Sequence, residues 1–122
     1  GKDVIIVDDM ISSGESMIDT ARQLKEMNAK RVFICCTFGL FTSGFDKFDK
    51  AYEDGILTKV FTTNLVYRRP GLLEKPWHVN VNMCKYVSYI IDTLNHDATI
   101  SELLDPVKRI NKIVAKHRAE ME

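Results

Sequence analysis

The segment Val4 to Ser16, VIIVDDMISSGES, constrains this chain more than any other: four consecutive β-branched residues, an acidic pair, then a loop of Ser and Gly. A continuous β-branched run bounded by polar residues predicts a strand buried on both faces of a parallel sheet, with Asp8 and Asp9 ending it. From Gly14 onward, Met17, Ile18, Ala21, Leu24 and Met27 recur at helical spacing, with Glu15, Arg22, Lys25 and Glu26 on the other face. Asn28 supplies a C-terminal stop. Arg31 leads into a second buried-strand run, Val32 to Cys36. Strand, loop, helix and strand in about 30 residues make a βαβ unit.

The remainder continues that rhythm. Thr42-Ser43-Gly44 offers N-cap chemistry for a short helix faced by Phe45, Phe48 and Tyr52 and closed by Gly55. Lys59 to Thr62 predicts a third strand, and His78 to Val81 alternates as a fourth. Between them Asn64 to Pro76 reads as a loop with a short extended piece, interrupted by Pro70-Gly71. Met83, Val87, Ile90, Ile91 and Leu94 form a helical stripe, and Thr99 with Glu102 is spaced as a capping box before Pro106. Val107 to the end repeats apolar positions among Lys and Arg, an amphipathic helix. The fold class is α/β: a Rossmann-like parallel sheet flanked by helices, with no internal boundary across residues 1–122.

Composition narrows the function classes. The 122 residues carry 17 Lys plus Arg against 17 Asp plus Glu, so no basic surface argues for nucleic acid or an anionic membrane. The longest nearly apolar run, Val32 to Phe41, is far shorter than the roughly 20 residues of a spanning helix. Cys35, Cys36 and Cys84 have neither an even-numbered framework nor metal-ligand spacing and read as reduced, mostly buried thiols of a cytoplasmic protein. The chain opens with Gly1-Lys2-Asp3 rather than Met, which suggests an element ahead of it and a domain that is partial.

In open α/β sheets ligands bind at the carboxyl ends of the strands, where this acidic pair and hydroxyl-rich loop sit. Backbone N–H groups of Ser12 to Ser16 lie at a helix start, where they are unpaired and the helix dipole adds positive charge. Ser12, Ser13 and Ser16 add hydroxyls, Gly14 allows close approach, and the whole fits a phosphate. Two carboxylates beside a phosphate need something between, and a sugar diol suits them because ionised Asp only accepts hydrogen bonds. Successive strand residues alternate in direction, so one of Asp8 and Asp9 is expected to face the ligand while the other caps the loop or holds Mg2+ through water. The bland reading, a strand-end turn followed by an ordinary N-cap cluster, accounts for each residue type singly. A Walker phosphate loop lacks its Gly-Lys-Ser/Thr ending here, and a dinucleotide fingerprint lacks its further glycines.

These residues resemble the ribose-phosphate-binding loop of the type I phosphoribosyltransferase fold, and more closely that of the ribose-phosphate pyrophosphokinase family. The segments Thr63-Asn64-Leu65, Val81-Asn82-Met83 and Ile100-Ser101-Glu102-Leu103-Leu104 also resemble that family's C-terminal domain. The resemblance implies transfer of pyrophosphate from ATP to ribose 5-phosphate with Mg2+, giving phosphoribosyl pyrophosphate and AMP. By position, Asp8 contacts ribose, and Ser12, Ser13, Gly14, Glu15 and Ser16 surround the 5-phosphate. Ser12 stands where the family usually has Asp, and Glu15 where it usually has Gly. A carboxylate at Glu15 would repel phosphate, so Glu15 is expected to point outward with only its amide in the site. The family's adenine-binding and catalytic groups lie upstream of the segment present here, so the chain by itself is expected to bind ribose 5-phosphate or phosphoribosyl pyrophosphate without turnover. Its other expected partners are the missing N-terminal region of the same protein and further copies in a homo-oligomer.

Two other classes compete. A response-regulator receiver domain also opens with an apolar strand ending in an acidic pair. It needs a phospho-accepting Asp at the end of its third strand, whereas Asp46, Asp49 and Asp54 fall in the helical pattern FTSGFDKFDKAYEDG. A non-catalytic sensor or interaction module of the phosphoribosyltransferase fold would use the same loop. Among the remaining residues, Arg68-Arg69 reads as a solvated pair, Trp77 as a packing anchor, and His96 as a helix C-terminal cap. His78 has no partner at catalytic spacing.

Overall fold

The computed structural model describes residues 1–99 and 101–121, with the side chains of 102 and 103 left out. It divides into two compact units, Gly1–Met83 and Cys84–Glu122. The first contains strand β1 (Val4–Ile11), helix α1 (Glu15–Glu26), β2 (Val32–Gly39), α2 (Asp46–Glu53), β3 (Lys59–Thr63), a 3-10 turn (Leu72–Glu74) and β4 (His78–Val81). All strand pairs are parallel, in the order β1-β2-β3-β4. This differs from the 2-1-3-4-5 order of receiver-type folds.

The register aligns side chains in rows across the sheet. Ile6, Ile34, Val60 and His78 form one row, and Asp8, Cys36, Thr62 and Asn80 the next. Ile34, Cys36, Val60 and Thr62 in these rows are buried, on the side that packs with Met17, Ile18, Phe48 and Ala51 of α1 and α2. The intervening positions lie on the opposite face, where Ile5 is 62% and Val7 78% exposed. β1 is therefore covered on one face, not both as its unbroken β-branched run predicts. It is also an edge strand of the four, with β2 its single strand neighbour among the described residues.

β1 runs four residues, and β2 three, further than their apolar runs suggest. Met10 pairs with Phe38 and Ile11 with Gly39, so the acidic pair lies inside the strand and does not end it. Toward this end the inward side passes from Ile6 to the odd position Ile11, which is 1% exposed. Asp8 and Asp9 fall in that crossover and both are exposed, so alternation does not hide one of them.

α1 ends as expected, with Asn28 in the left-handed region at φ 69°. The Thr42-Ser43-Gly44 hydroxyls do not cap α2, whose N-cap is Phe45 without a side-chain cap bond. Ala51, not Tyr52, completes the inner face of α2. The 64–76 connection holds a 3-10 turn, Leu72–Glu74, followed by extended backbone at Lys75. Trp77 is fully buried, stacked on Phe48 at 5.2 Å and tilted against Phe41 at 5.7 Å, while its indole N–H donates to Asp49 at 2.7 Å.

The second unit contains α3 (Cys84–Asn95), α4 (Ser101–Leu104) and α5 (Val107–Met121). The stripe on α3 forms a helix as expected, yet neither α3 nor α5 has a buried residue among those described. His96 Nδ1 lies 2.8 Å from the Asp92 carbonyl, in keeping with a C-terminal cap. Thr99 Oγ1 accepts from the Ser101 N–H at 3.3 Å. The Glu102 half of the expected capping box and Ile100 lie outside the described residues. Cys36 is buried and Cys35 half-buried, but Cys84 is exposed, contrary to the expectation of mostly buried thiols. Burial pushes the Cys36 thiol up to about 11, so it stays protonated. No described helix is long and apolar enough to cross a membrane.

Candidate functional site

The loop between β1 and α1 is three residues, Ser12 to Gly14, because β1 continues to Ile11 and α1 starts at Glu15. Gly14 caps α1 at φ 82°, a region bulky residues avoid. A Cβ there would stand 2.3 Å from the Phe48 ring. Only glycine satisfies both demands, and it lets the N-terminus of α1 lie directly against α2. The first bond of the helix runs from the Ile18 N–H to the Gly14 carbonyl at 3.0 Å. The N–H groups of Glu15, Ser16 and Met17 therefore precede the ladder at the positive end of a 12-residue helix. Ser13 Oγ lies 3.5 Å from the Glu15 N–H, at the limit of a hydrogen bond.

The backbone behind the loop is held. The Ile11 carbonyl accepts from the Leu40 N–H at 2.9 Å and the Phe41 N–H at 3.4 Å, and the Ser12 carbonyl accepts from the Thr42 N–H at 2.9 Å. Asp8 accepts the Asp9 N–H through one carboxylate oxygen at 2.8 Å. Asp8 also borders a shallow cavity of about 330 Å3 on the uncovered sheet face, lined by Val7, Cys35, Thr37, Phe61 and Thr63 among others. The Ser12 and Ser16 side chains are exposed and Ser13 is half-buried. The carboxylate of Glu15 pairs with Lys47 of α2. All seven residues singled out from the sequence thus lie along one strand end, one short loop and one helix start.

The segments that follow β3 and β4 meet beside this edge. Asn64 Nδ2 donates to Asn82 Oδ1 at 3.1 Å, and Asn64 Oδ1 accepts the Met83 N–H at 2.8 Å. Thr63 Oγ1 donates to the Thr37 carbonyl at 2.6 Å, tying β3 to β2. Thr63-Asn64 and Asn82-Met83, separated in sequence, are one hydrogen-bonded unit at the carboxyl ends of the strands.

Of the expected solvated pair, Arg69 is exposed and Arg68 half-buried, and each makes a hydrogen bond within the fold. Arg68 donates to Asn80 Oδ1 at 3.2 Å, and Arg69 to the Phe41 carbonyl at 2.5 Å. His78 is buried, with Nε2 2.7 Å from Thr62 Oγ1, while its Nδ1 is buried without a partner. Burial, with Arg68 nearby, holds its pKa below the usual 6.5, so the ring is neutral. The partners of Lys47 and Arg69 carried no signal in the sequence, because they lie 32 and 28 residues away.

Chemically, the arrangement offers amide and hydroxyl donors to an anion and two acceptor carboxylates to hydroxyls beside it. Among the described residues no group of three or more His, Cys, Asp or Glu could hold a metal. Two exposed carboxylates suit a Mg2+ that keeps most of its water.

A sequence model of the phosphoribosyl transferase domain matches residues 1–72, which include β1, the loop, α1 and β2. The chain is 39% identical over 66 residues to the ribose-phosphate pyrophosphokinase of Pyrococcus abyssi, covering 53% of this chain and 23% of that protein. It is 38% identical over 105 residues to the ribose-phosphate pyrophosphokinase of Vibrio cholerae, covering 86% of this chain and 32% of that protein. The crystal structure of phosphoribosylpyrophosphate synthetase from Mycobacterium smegmatis superposes with a TM-score of 0.66 at 23% identity, covering 80% of this chain and 32% of that one. That likeness is one of fold. The chain spans a third or less of the length of these relatives.

Proposed function

Because the chain belongs to the phosphoribosyl transferase domain family, we propose that it supplies the ribose-phosphate subsite of a ribose-phosphate pyrophosphokinase. In that reaction the 1-hydroxyl oxygen of ribose 5-phosphate attacks the β-phosphorus of ATP, the bond to the α-phosphate oxygen breaks, and AMP leaves. The role of the present residues is to bind and orient. The N–H groups of Glu15, Ser16 and Met17, with the hydroxyls of Ser12, Ser13 and Ser16, hold the 5-phosphate at the start of α1. Asp8 and Asp9 accept hydrogen bonds from the ribose hydroxyls and fix the face presented for transfer. Bound through water to these carboxylates, Mg2+ would neutralise phosphate charge; ATP is the co-substrate of the whole enzyme. On the same reading the enzyme is cytoplasmic and homo-oligomeric, and serves nucleotide biosynthesis.

One observation carries the reading: an acidic pair in the second half of a parallel strand is followed by a glycine-capped helix start, inside the stretch that the family shares. Glu15 does not weigh against it, since its carboxylate is engaged by Lys47 and only its amide belongs to the loop. Calorimetric titration with ribose 5-phosphate tests it. Wild-type protein should bind, and Asp8→Ala should bind at least about tenfold more weakly, the loss of hydrogen bonds to a charged acceptor. Equal affinity in the two proteins would remove Asp8 from the site. The 122 residues alone should bind without forming AMP, and Mg2+-dependent AMP formation by them would contradict the proposed division of labour.

A further inference from the structure

We infer that Arg69 is a positioning residue for the loop Ser12–Gly14, acting through the carbonyl of Phe41; the inference rests on the ribose-phosphate reading of that loop. Phe41 is an outlier: a bulky residue in the left-handed region at φ 50°, fully buried, two residues beyond the end of β2. It sits at the centre of the three amides, Leu40, Phe41 and Thr42, that bind the carbonyls of Ile11 and Ser12. Those carbonyls are the last fixed points of backbone before the proposed phosphate donors. The ring of Phe41 is held by Phe48 at 5.0 Å, and Phe48 is the wall against which Gly14 rests.

The other end of the Phe41 turn is its carbonyl. It accepts one local bond, from the Gly44 N–H at 3.0 Å, and one long-range bond, from Arg69 Nη1 at 2.5 Å. A guanidinium bond to a carbonyl is charge-assisted, stronger than a bond between neutral groups, and comes from the loop after β3. Arg69 therefore joins the β3–β4 connection to the phosphate loop through a single strained residue. Without it, the Phe41 carbonyl keeps only the four-residue turn closed by the Gly44 N–H, and the Leu40–Thr42 amides gain freedom to shift against Ile11 and Ser12.

The test uses the full-length protein with Arg69→Met and Arg69→Lys, read by ribose 5-phosphate titration, thermal unfolding and amide hydrogen exchange. Arg69→Met should raise the dissociation constant about five- to tenfold and speed exchange at the Leu40 and Thr42 amides in the unliganded protein. Arg69→Lys, which can still donate to the carbonyl, should recover most of the affinity. A lower melting temperature with unchanged affinity would make Arg69 merely structural and overturn the inference. Weaker binding with unchanged exchange at Leu40 and Thr42 would overturn it too, since Arg69 would then touch the ligand itself. If the wild-type protein fails to bind ribose 5-phosphate, the underlying reading falls and the inference with it; if wild type and Arg69→Met bind alike, the inference alone falls.

Discussion

At the residue scale, the carboxylate of Glu15 has a physical partner. Glu15 puts a negative charge at a helix start proposed to hold a phosphate, and Lys47 meets it. Lys47→Met should weaken ribose 5-phosphate binding about threefold at low salt, the scale of an exposed ion pair, and less as salt rises. Adding Glu15→Gln should restore affinity; titration of the double variant at two ionic strengths checks this. His78 is a different case, a buried ring whose pKa is depressed by burial and by Arg68. Above pH 6.5 the ring is neutral whether folded or not, and the protein loses nothing. As pH falls below 6.5 the unfolded state takes up a proton that the native ring resists, so stability declines. Urea unfolding between pH 7.5 and about 5 should show that decline, and His78→Gln should flatten it. Lys47 and Arg69 could not be read from the chain, since a cation's partner is set by which helices and loops become neighbours.

At the scale of elements, the βαβ unit was legible because Met17, Ile18 and Ala21 repeat at helical spacing between two β-branched runs, and all three are buried. Strand ends were not. Asp8, Asp9 and Met10 are poor strand formers or ambiguous by pattern, and they are extended because β2 offers partners as far as Gly39. Gly14 joins the loop to the packing of α1 on α2. Gly14→Ala meets both the left-handed penalty and the Phe48 ring, and should cost at least ~2 kcal/mol in a denaturant melt. Because the ring must move to admit the methyl, ribose 5-phosphate affinity should fall as well. Gly55→Ala has φ 72° and open space around it, so it meets the backbone penalty alone and should leave affinity unchanged.

At the scale of the molecule, β1 presents Ile5 and Val7 to solvent on an edge strand. An apolar edge strand is a pairing surface. The 122-residue chain should therefore self-associate in light scattering at high concentration, and Val7→Lys, at a 78% exposed position, should shift it toward monomer without lowering its melting temperature. An unchanged association state in that variant would move the contact elsewhere.

Periodicity and turn chemistry by themselves determined the α/β class, the order of elements, the buried Trp77, and a Ser-Gly loop leading from an acidic pair into a helix, because each depends on residues close together in the chain. Tertiary structure alone decided that β1 is covered on one face, that Asp8 and Asp9 are both exposed, that Asn64 bridges to Asn82, and that Arg69 reaches Phe41. A β-branched run reads the same whether one or both faces find a partner, and a lone arginine or asparagine has no period from which to infer what it meets. Those outcomes depend on which distant segments the sheet brings together.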